Sequence, residues 1–253
     1  MSKHITTRHL GCGLALMSLL SLPARAEAPN ISVMNGTLGD ADPTPEISTA
    51  ELRAALGTSS VLMLDARPRE EYAVSHVPGA RSVAAKPGLP ASQYTADVND
   101  LVRLQPDRSA PMVVYCNGLY CGRSKRFSAE LRAAGYTNVR RYQLGIPAWR
   151  ALGGVTQVEK DALLSLLRLD RSAVLVDARP APAAAARLKG AKSIPLPETT
   201  RAKDDGRLPM TDHNTRIFVV GDDAEQARAV AEAIVKDAFH NVSFYAGSAR
   251  DLQ

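Results

Sequence analysis

Cysteine is scarce in this chain, with three among 253 residues. That scarcity excludes the disulfide-dense framework of small secreted domains. Without a histidine cluster beside them, the cysteines also offer no tetrahedral zinc site, so neither metal nor cofactor is expected. Long hydrophobic runs are missing too. The apolar stretch at residues 10–22 (LGCGLALMSLLSL) falls short of the roughly 20 residues that span a bilayer. Nor is there a basic stripe interleaved with aromatic residues, so the formal net charge of +5 gives no support to nucleic-acid binding. What remains is 45% hydrophobic and 23% charged residues, the ordinary composition of a folded globular protein. The length makes two domains the natural expectation.

The N-terminus has the order of a secretory signal. Lys3 and Arg8 precede the short apolar stretch, and Ala24-Arg25-Ala26 supplies a small-residue cleavage box. Residues 1–26 are therefore expected to be removed after Ala26, leaving a periplasmic or secreted protein with no stable membrane insertion. Cleavage takes away Lys3, Arg8 and Arg25 and leaves 28 basic against 26 acidic side chains, a nearly neutral mature chain. Cys12 leaves with the signal. Cys116 and Cys121 remain, in a compartment where disulfides form and persist.

Residues 27–45, with three prolines and few large apolar groups, read as an extended lead-in. From Glu46 a pattern begins that occurs twice. Ser48 and Glu51 form a capping box ahead of Leu52, Ala55 and Leu56 on one helical face. The buried strand Val61-Leu62-Met63-Leu64 follows and runs into Asp65-Ala66-Arg67-Pro68. About 112 residues later, an amphipathic segment from Ala162 to Leu169 precedes Val174-Leu175-Val176 and Asp177-Ala178-Arg179-Pro180. Gly79-Ala80-Arg81-Ser82-Val83 then matches Gly190-Ala191-Lys192-Ser193-Ile194, and Met112-Val113-Val114-Tyr115 matches Ile217-Phe218-Val219-Val220. Short apolar strands alternating with helical segments (Ser124 to Ala134, Ala224 to Lys236) predict an α/β fold. Two domains, 46–154 and 155–253, would each hold a mainly parallel sheet flanked by helices.

Ligands of such sheets sit beyond the carboxyl ends of the strands, where the first copy places Cys116. It ends the strand from Met112, and a small-residue loop and a helix starting near Arg123 or Ser124 come next. Unpaired amides at that helix start, together with Arg123, favour a thiolate and an anion beside it. Gly118 and Gly122 let the loop curl, so Asn117, Gly118, Gly122, Arg123 and Ser124 form the expected anion-binding loop. Lys125 and Arg126 suit either an anionic donor or a solvated helix face. Asp65 and Arg67 are expected to brace the strand-end loop, His76 to brace the turn before Val77-Pro78-Gly79, and Trp149 to pack in the core.

These residues resemble the rhodanese-like (sulfurtransferase) family in tandem form. The resemblance rests on Asp65-Ala66-Arg67, Glu71-Tyr72, His76-Val77-Pro78-Gly79-Ala80, the strand ending in Cys116, Arg123-Ser124, and Gly145 through Trp149 to Gly153. It implies two rhodanese-like domains and a sulfurtransferase in which Cys116 is the nucleophile. Cys116 would take sulfane sulfur from a small anionic donor such as thiosulfate, hold it as a persulfide and pass it to a thiol acceptor. Six residues separate Cys116 from Arg123, a longer loop than in the usual sulfurtransferase or phosphatase-like relatives. It is similar to a subgroup with cysteine, asparagine and glycine at the loop start and a second cysteine before the arginine.

Cys121 leaves two alternatives open. It is a resolving thiol, making the protein a thiol-disulfide or persulfide-reducing enzyme, or it is a disulfide partner in a non-catalytic binding module. In the second copy Gly221-Asp222-Asp223 stands where Cys116 should be, and the Ala183 to Arg187 stretch replaces Glu71, Tyr72 and His76. That copy is expected to be catalytically silent.

Overall fold

The computed structural model describes residues 43–83, 98–180 and 188–253. The expected signal segment, all but the last three residues of the lead-in, and the Ala183 to Arg187 stretch lie outside the described residues.

In the first half, helix α1 (Thr49–Gly57) starts at the anticipated capping box. The Ser48 Oγ accepts from the Glu51 amide at 3.2 Å, while the Glu51 carboxylate accepts from the Ser48 amide at 2.9 Å. Strand β1 (Leu62–Asp65), helix α2 (Arg69–Val74), strand β2 (Arg81–Ser82), helix α3 (Val98–Leu104), strand β3 (Met112–Tyr115), helix α4 (Gly122–Ala133), strand β4 (Val139–Tyr142) and helix α5 (Gly145–Ala151) follow. The strands form a parallel sheet in the order β2-β1-β3-β4. The central strands β1 and β3 are apolar up to Asp65 and Tyr115 at their ends because both faces are covered. Met63, Val113 and Tyr115 join Leu52, Tyr72 and Trp149 on one face, whereas Leu64, Met112 and Val114 join Leu101, Phe127 and Leu131 on the other.

The second half contains strand β5 (Thr156–Val158), helix α6 (Lys160–Leu169), strands β6 (Val174–Asp177) and β7 (Lys192–Ser193), helix α7 (Thr199–Asp204), strand β8 (Ile217–Gly221), helix α8 (Ala224–Ile234) and strand β9 (Val242–Ser248). Its parallel sheet runs β5-β9-β8-β6-β7. The order β7-β6-β8-β9 repeats that of the first sheet, and equivalent residues pair: Asp65 with Tyr115, Asp177 with Val220. Even β5 has a counterpart. Glu46 makes a parallel bridge to Arg141, and the Arg141 amide donates to the Pro45 carbonyl at 2.8 Å. Thr44 is buried there, so the end of the lead-in packs along β4 as β5 packs along β9.

The halves join through backbone. His76 and Gln157 exchange hydrogen bonds of 2.9 and 2.8 Å, and the Glu159 amide donates to the Ala73 carbonyl at 2.9 Å. Arg69 pairs with Glu159 at 2.7 Å beside them.

Candidate functional site

Because β1 and β3 are adjacent and parallel, the loops after Asp65 and Tyr115 leave the same edge of the sheet. Asp65 is fully buried and organises that edge. Its carboxylate accepts from the Arg67 amide and Nε, each at 2.9 Å, from Arg67 Nη2 at 2.5 Å, and from the Tyr115 hydroxyl at 2.5 Å. The Tyr115 hydroxyl in turn accepts from the Val77 amide at 3.0 Å, and Arg67 Nη2 also donates to the Ser75 carbonyl at 2.5 Å. A buried ion pair needs such additional partners to offset its desolvation. Burial opposes the charge on Arg67, but the hydrogen bonds and charge of Asp65 outweigh it and hold the guanidinium protonated. Burial, then the Asp65 charge, keeps the Tyr115 hydroxyl protonated well above its usual range, as its role as donor requires.

His76 lies at the joint between the halves. Its Nδ1 donates to the Tyr72 carbonyl at 2.9 Å, and its ring stacks on Tyr72 with centroids 3.9 Å apart. A carbonyl only accepts, so the neutral ring carries its proton on Nδ1. Burial lowers its pKa, against the opposing effect of that hydrogen bond. Trp149 is buried, and its Nε1 donates to the Val155 carbonyl at 2.8 Å.

The loop after β3 holds the two cysteines together. Cys116 and Cys121 form a disulfide with Cα atoms 6.1 Å apart, a separation within the normal range. The intervening residues form a turn closed by the Cys121 amide donating to the Gly118 carbonyl at 3.0 Å, with Gly118 at φ +107°. The extra loop length is thus taken up by a turn that swings Cys121 back to Cys116. Cys116 is 1% exposed, whereas Cys121 is half-buried. Helix α4 begins at Gly122, slightly earlier than the sequence suggests. Its cap residue, Cys121, supplies no side-chain acceptor to the first amides.

The five anticipated loop residues do not all turn to one point. Asn117 Nδ2 donates to Glu71 Oε2 at 2.6 Å, Ser124 is buried with its hydroxyl 3.4 Å from Nη2 of the fully buried Arg141, and Arg123 is half-buried in the first turn of α4. Arg126 faces Glu130 at 3.7 Å, and Lys125 is half-buried.

Gly145 clamps the loop from the other side. The Ile146 amide donates to the Cys116 carbonyl at 3.1 Å, and a Cβ on Gly145 would lie 2.3 Å from the Gly118 nitrogen. Beside Asn117 a cavity of about 420 Å³ opens, lined by Arg67, Glu70, Glu71, Ile146 and Arg150 among others. Arg150 escapes sequence reasoning because an arginine on a short helix reads as solvated. Its guanidinium donates to the Ser75 hydroxyl, and burial, with the positive charges of Arg67 and Arg216, lowers its pKa. Glu71 had a signal in its place before His76, but its link to Asn117 had none.

In the second half, Asp177 and Arg179 reproduce the buried pair at 2.7 Å, yet Val220 replaces Tyr115 and offers no hydroxyl. The helix start that corresponds to the cysteine loop is already filled. Asp223 Oδ1 accepts from the Gln226 amide at 2.8 Å, and a Cβ on Gly221 would lie 2.8 Å from Gln226 Oε1. That site has no sulfur, and its own carboxylate takes an anion's place.

The profile of the Rhodanese-like domain matches residues 48–152 and again 160–253. Over 112 residues the chain is 33% identical to the HTH-type transcriptional regulator Rv0324 of Mycobacterium tuberculosis, an alignment covering 44% of each protein, so the chain spans less than half of that relative. Among solved structures, a thiosulfate sulfurtransferase of Pseudomonas aeruginosa is 20% identical, with 81% of this chain and 41% of that one covered and a TM-score of 0.38. SseA of Escherichia coli, whose structure is described under 3-mercaptopyruvate sulfotransferases, is 18% identical, with 81% and 98% covered and a TM-score of 0.36. With its profile matched twice in succession, the chain belongs to the rhodanese-like family as a tandem pair of domains.

Proposed function

We propose that the protein is an exported sulfurtransferase whose reactive group is the Cys116 thiolate, with the Cys116–Cys121 disulfide as its oxidised resting state. The observation that carries this reading is the position of Cys116 between the end of a central parallel strand and a helix start whose first amides lack a side-chain cap. A dithiol reductant first opens the disulfide, taking up the bond and leaving two thiols. The Cys116 thiolate then attacks the outer sulfur of thiosulfate, the sulfur–sulfur bond breaks, and sulfite departs with the electron pair. An acceptor thiolate next attacks the terminal sulfur of the persulfide and restores the Cys116 thiolate.

Thiosulfate should add about 32 Da, one sulfur atom, to the reduced mature protein, and Cys116→Ser should abolish the gain. No adduct with several sulfane donors would remove the reading. Export is tested on the same material: the purified protein should begin at Glu27, and a mature form that retains residues 1–26 would count against it.

The disulfide favours a second reading, in which Cys121 attacks the inner sulfur of the persulfide and expels hydrosulfide as the disulfide re-forms. It predicts one equivalent of sulfide from the loaded protein without added thiol, lost in Cys121→Ser.

A further inference from the structure

The cavity beside Asn117 is lined by charges of both signs, and they are not equally matched. Arg67 is paired with Asp65. Arg150 has no such partner among the described residues: its hydrogen bond is to the neutral Ser75 hydroxyl, and the nearby charges of Arg67 and Arg216 are of its own sign. Arg150 also lines a smaller cavity of about 90 Å³ shared with Arg216 and Asn241 of the second half, so the second domain backs the Arg150 side. The larger cavity is lined as well by two carboxylates from the start of α2, the exposed Glu70 and the half-buried Glu71 that accepts from Asn117. A guanidinium without a counter-ion is costly to hold in a half-buried place, and a bidentate donor of this kind suits a carboxylate.

The structure assigns this cavity, we infer, to the α-amino-acid group of a small zwitterionic thiol. Its carboxylate meets Arg150, its ammonium meets Glu70 and Glu71, and its sulfur is directed to the loop that begins at Asn117. The inference rests on the sulfurtransferase reading for the ligand's role as sulfur acceptor. A purely anionic ligand would leave the two glutamates facing it with like charge, and a simple amine would leave Arg150 unanswered. The volume of about 420 Å³ exceeds that of one small amino acid, so the cavity need not deform to admit it. No bond is made or broken at Arg150. Its work is positioning, and transfer of the terminal sulfur proceeds as described above.

The test uses unreactive thioethers, which bind without taking sulfur. Titrations of the reduced mature chain compare S-methyl-L-cysteine with 2-(methylthio)ethylamine, which lacks the carboxylate, and 3-(methylthio)propionate, which lacks the ammonium. S-methyl-L-cysteine should bind about tenfold more tightly than either. Arg150→Gln should erase its advantage over the amine, while Arg150→Lys retains part of it. Glu70→Gln should narrow its advantage over the propionate by about threefold. Because Arg150 carries an unmatched charge, Arg150→Gln should melt at or above the wild-type temperature, so lost binding would not reflect unfolding.

Equal binding of the three probes, or wild-type selectivity in Arg150→Gln, would overturn the assignment. The same samples are treated with thiosulfate and weighed. Gain of sulfur without selective binding sinks only the zwitterion site, whereas selective binding without gain of sulfur sinks the acceptor role together with the reading beneath it.

Discussion

Adding one methyl group at Gly145 should disable the cysteine loop from outside it. Gly145 has φ +66°, and an alanine in this left-handed region costs about 1–2 kcal/mol. The new Cβ would also stand 2.3 Å from the Gly118 nitrogen and 2.4 Å from the Cys116 carbonyl oxygen. Both are backbone atoms, so no side-chain rotation relieves the overlap and the loop must retreat by about 1 Å to reach ordinary contact. Overpacking of this kind costs about 1–3 kcal/mol more, and the Ile146 to Cys116 hydrogen bond lengthens as the loop moves. Gly153→Ala supplies the control, since Gly153 has a similar φ of +77° but open space where its Cβ would be.

The Gly153 variant should therefore lose about 1–2 kcal/mol in urea unfolding and load sulfur at the wild-type rate. The Gly145 variant should lose about 2–5 kcal/mol. Its loading should slow by about 100-fold, the penalty expected for a 1 Å misplacement of a reacting group. If the two variants are equally stable and load sulfur equally fast, the clamp on the loop is not the function of Gly145 and the argument fails.

Three further perturbations test the frame around the loop. Tyr115→Phe removes a hydroxyl that donates to Asp65 and accepts from the Val77 amide; it should cost about 2–4 kcal/mol in chemical denaturation, and a loss under 1 kcal/mol would contradict the network. Asp65→Asn should destabilise more than Asp177→Asn, because Asp65 serves both Arg67 and Tyr115 while Asp177 serves Arg179; melting of the two variants side by side gives the order. His76 is held neutral, with its pKa below the usual 6.5, so the unfolded chain takes up its proton first. Its contribution should be full above pH 6.5 and be lost as pH falls through the folded value, and His76→Asn should flatten that part of the stability profile.

Local features were legible because they depend on neighbours in the chain. Ser48 and Glu51 are three residues apart, and the capping box they form needs nothing else. The strand Met112–Tyr115 was readable to the residue, since an apolar run too short for a helix and covered on both faces has few alternatives. The missing cysteine of the second copy is legible from Gly221, Asp222 and Asp223, whereas only the fold shows that Asp223 fills the helix start itself.

The disulfide was open from sequence because separation along the chain sets no distance; the turn at Gly118 decides it by bringing the Cα atoms to 6.1 Å. The sequence places Asn117 in an anion loop, yet its amide turns to Glu71, which α2 brings alongside from 46 positions away. Arg150 carried no signal, since the burial of a charged side chain depends on what docks against its helix. Spacing and periodicity thus settled the repeat, the parallel strands and the place of Cys116. Tertiary packing settled the partners of that cysteine and the charges around it, because they come from segments that meet only once the sheets form and the halves join.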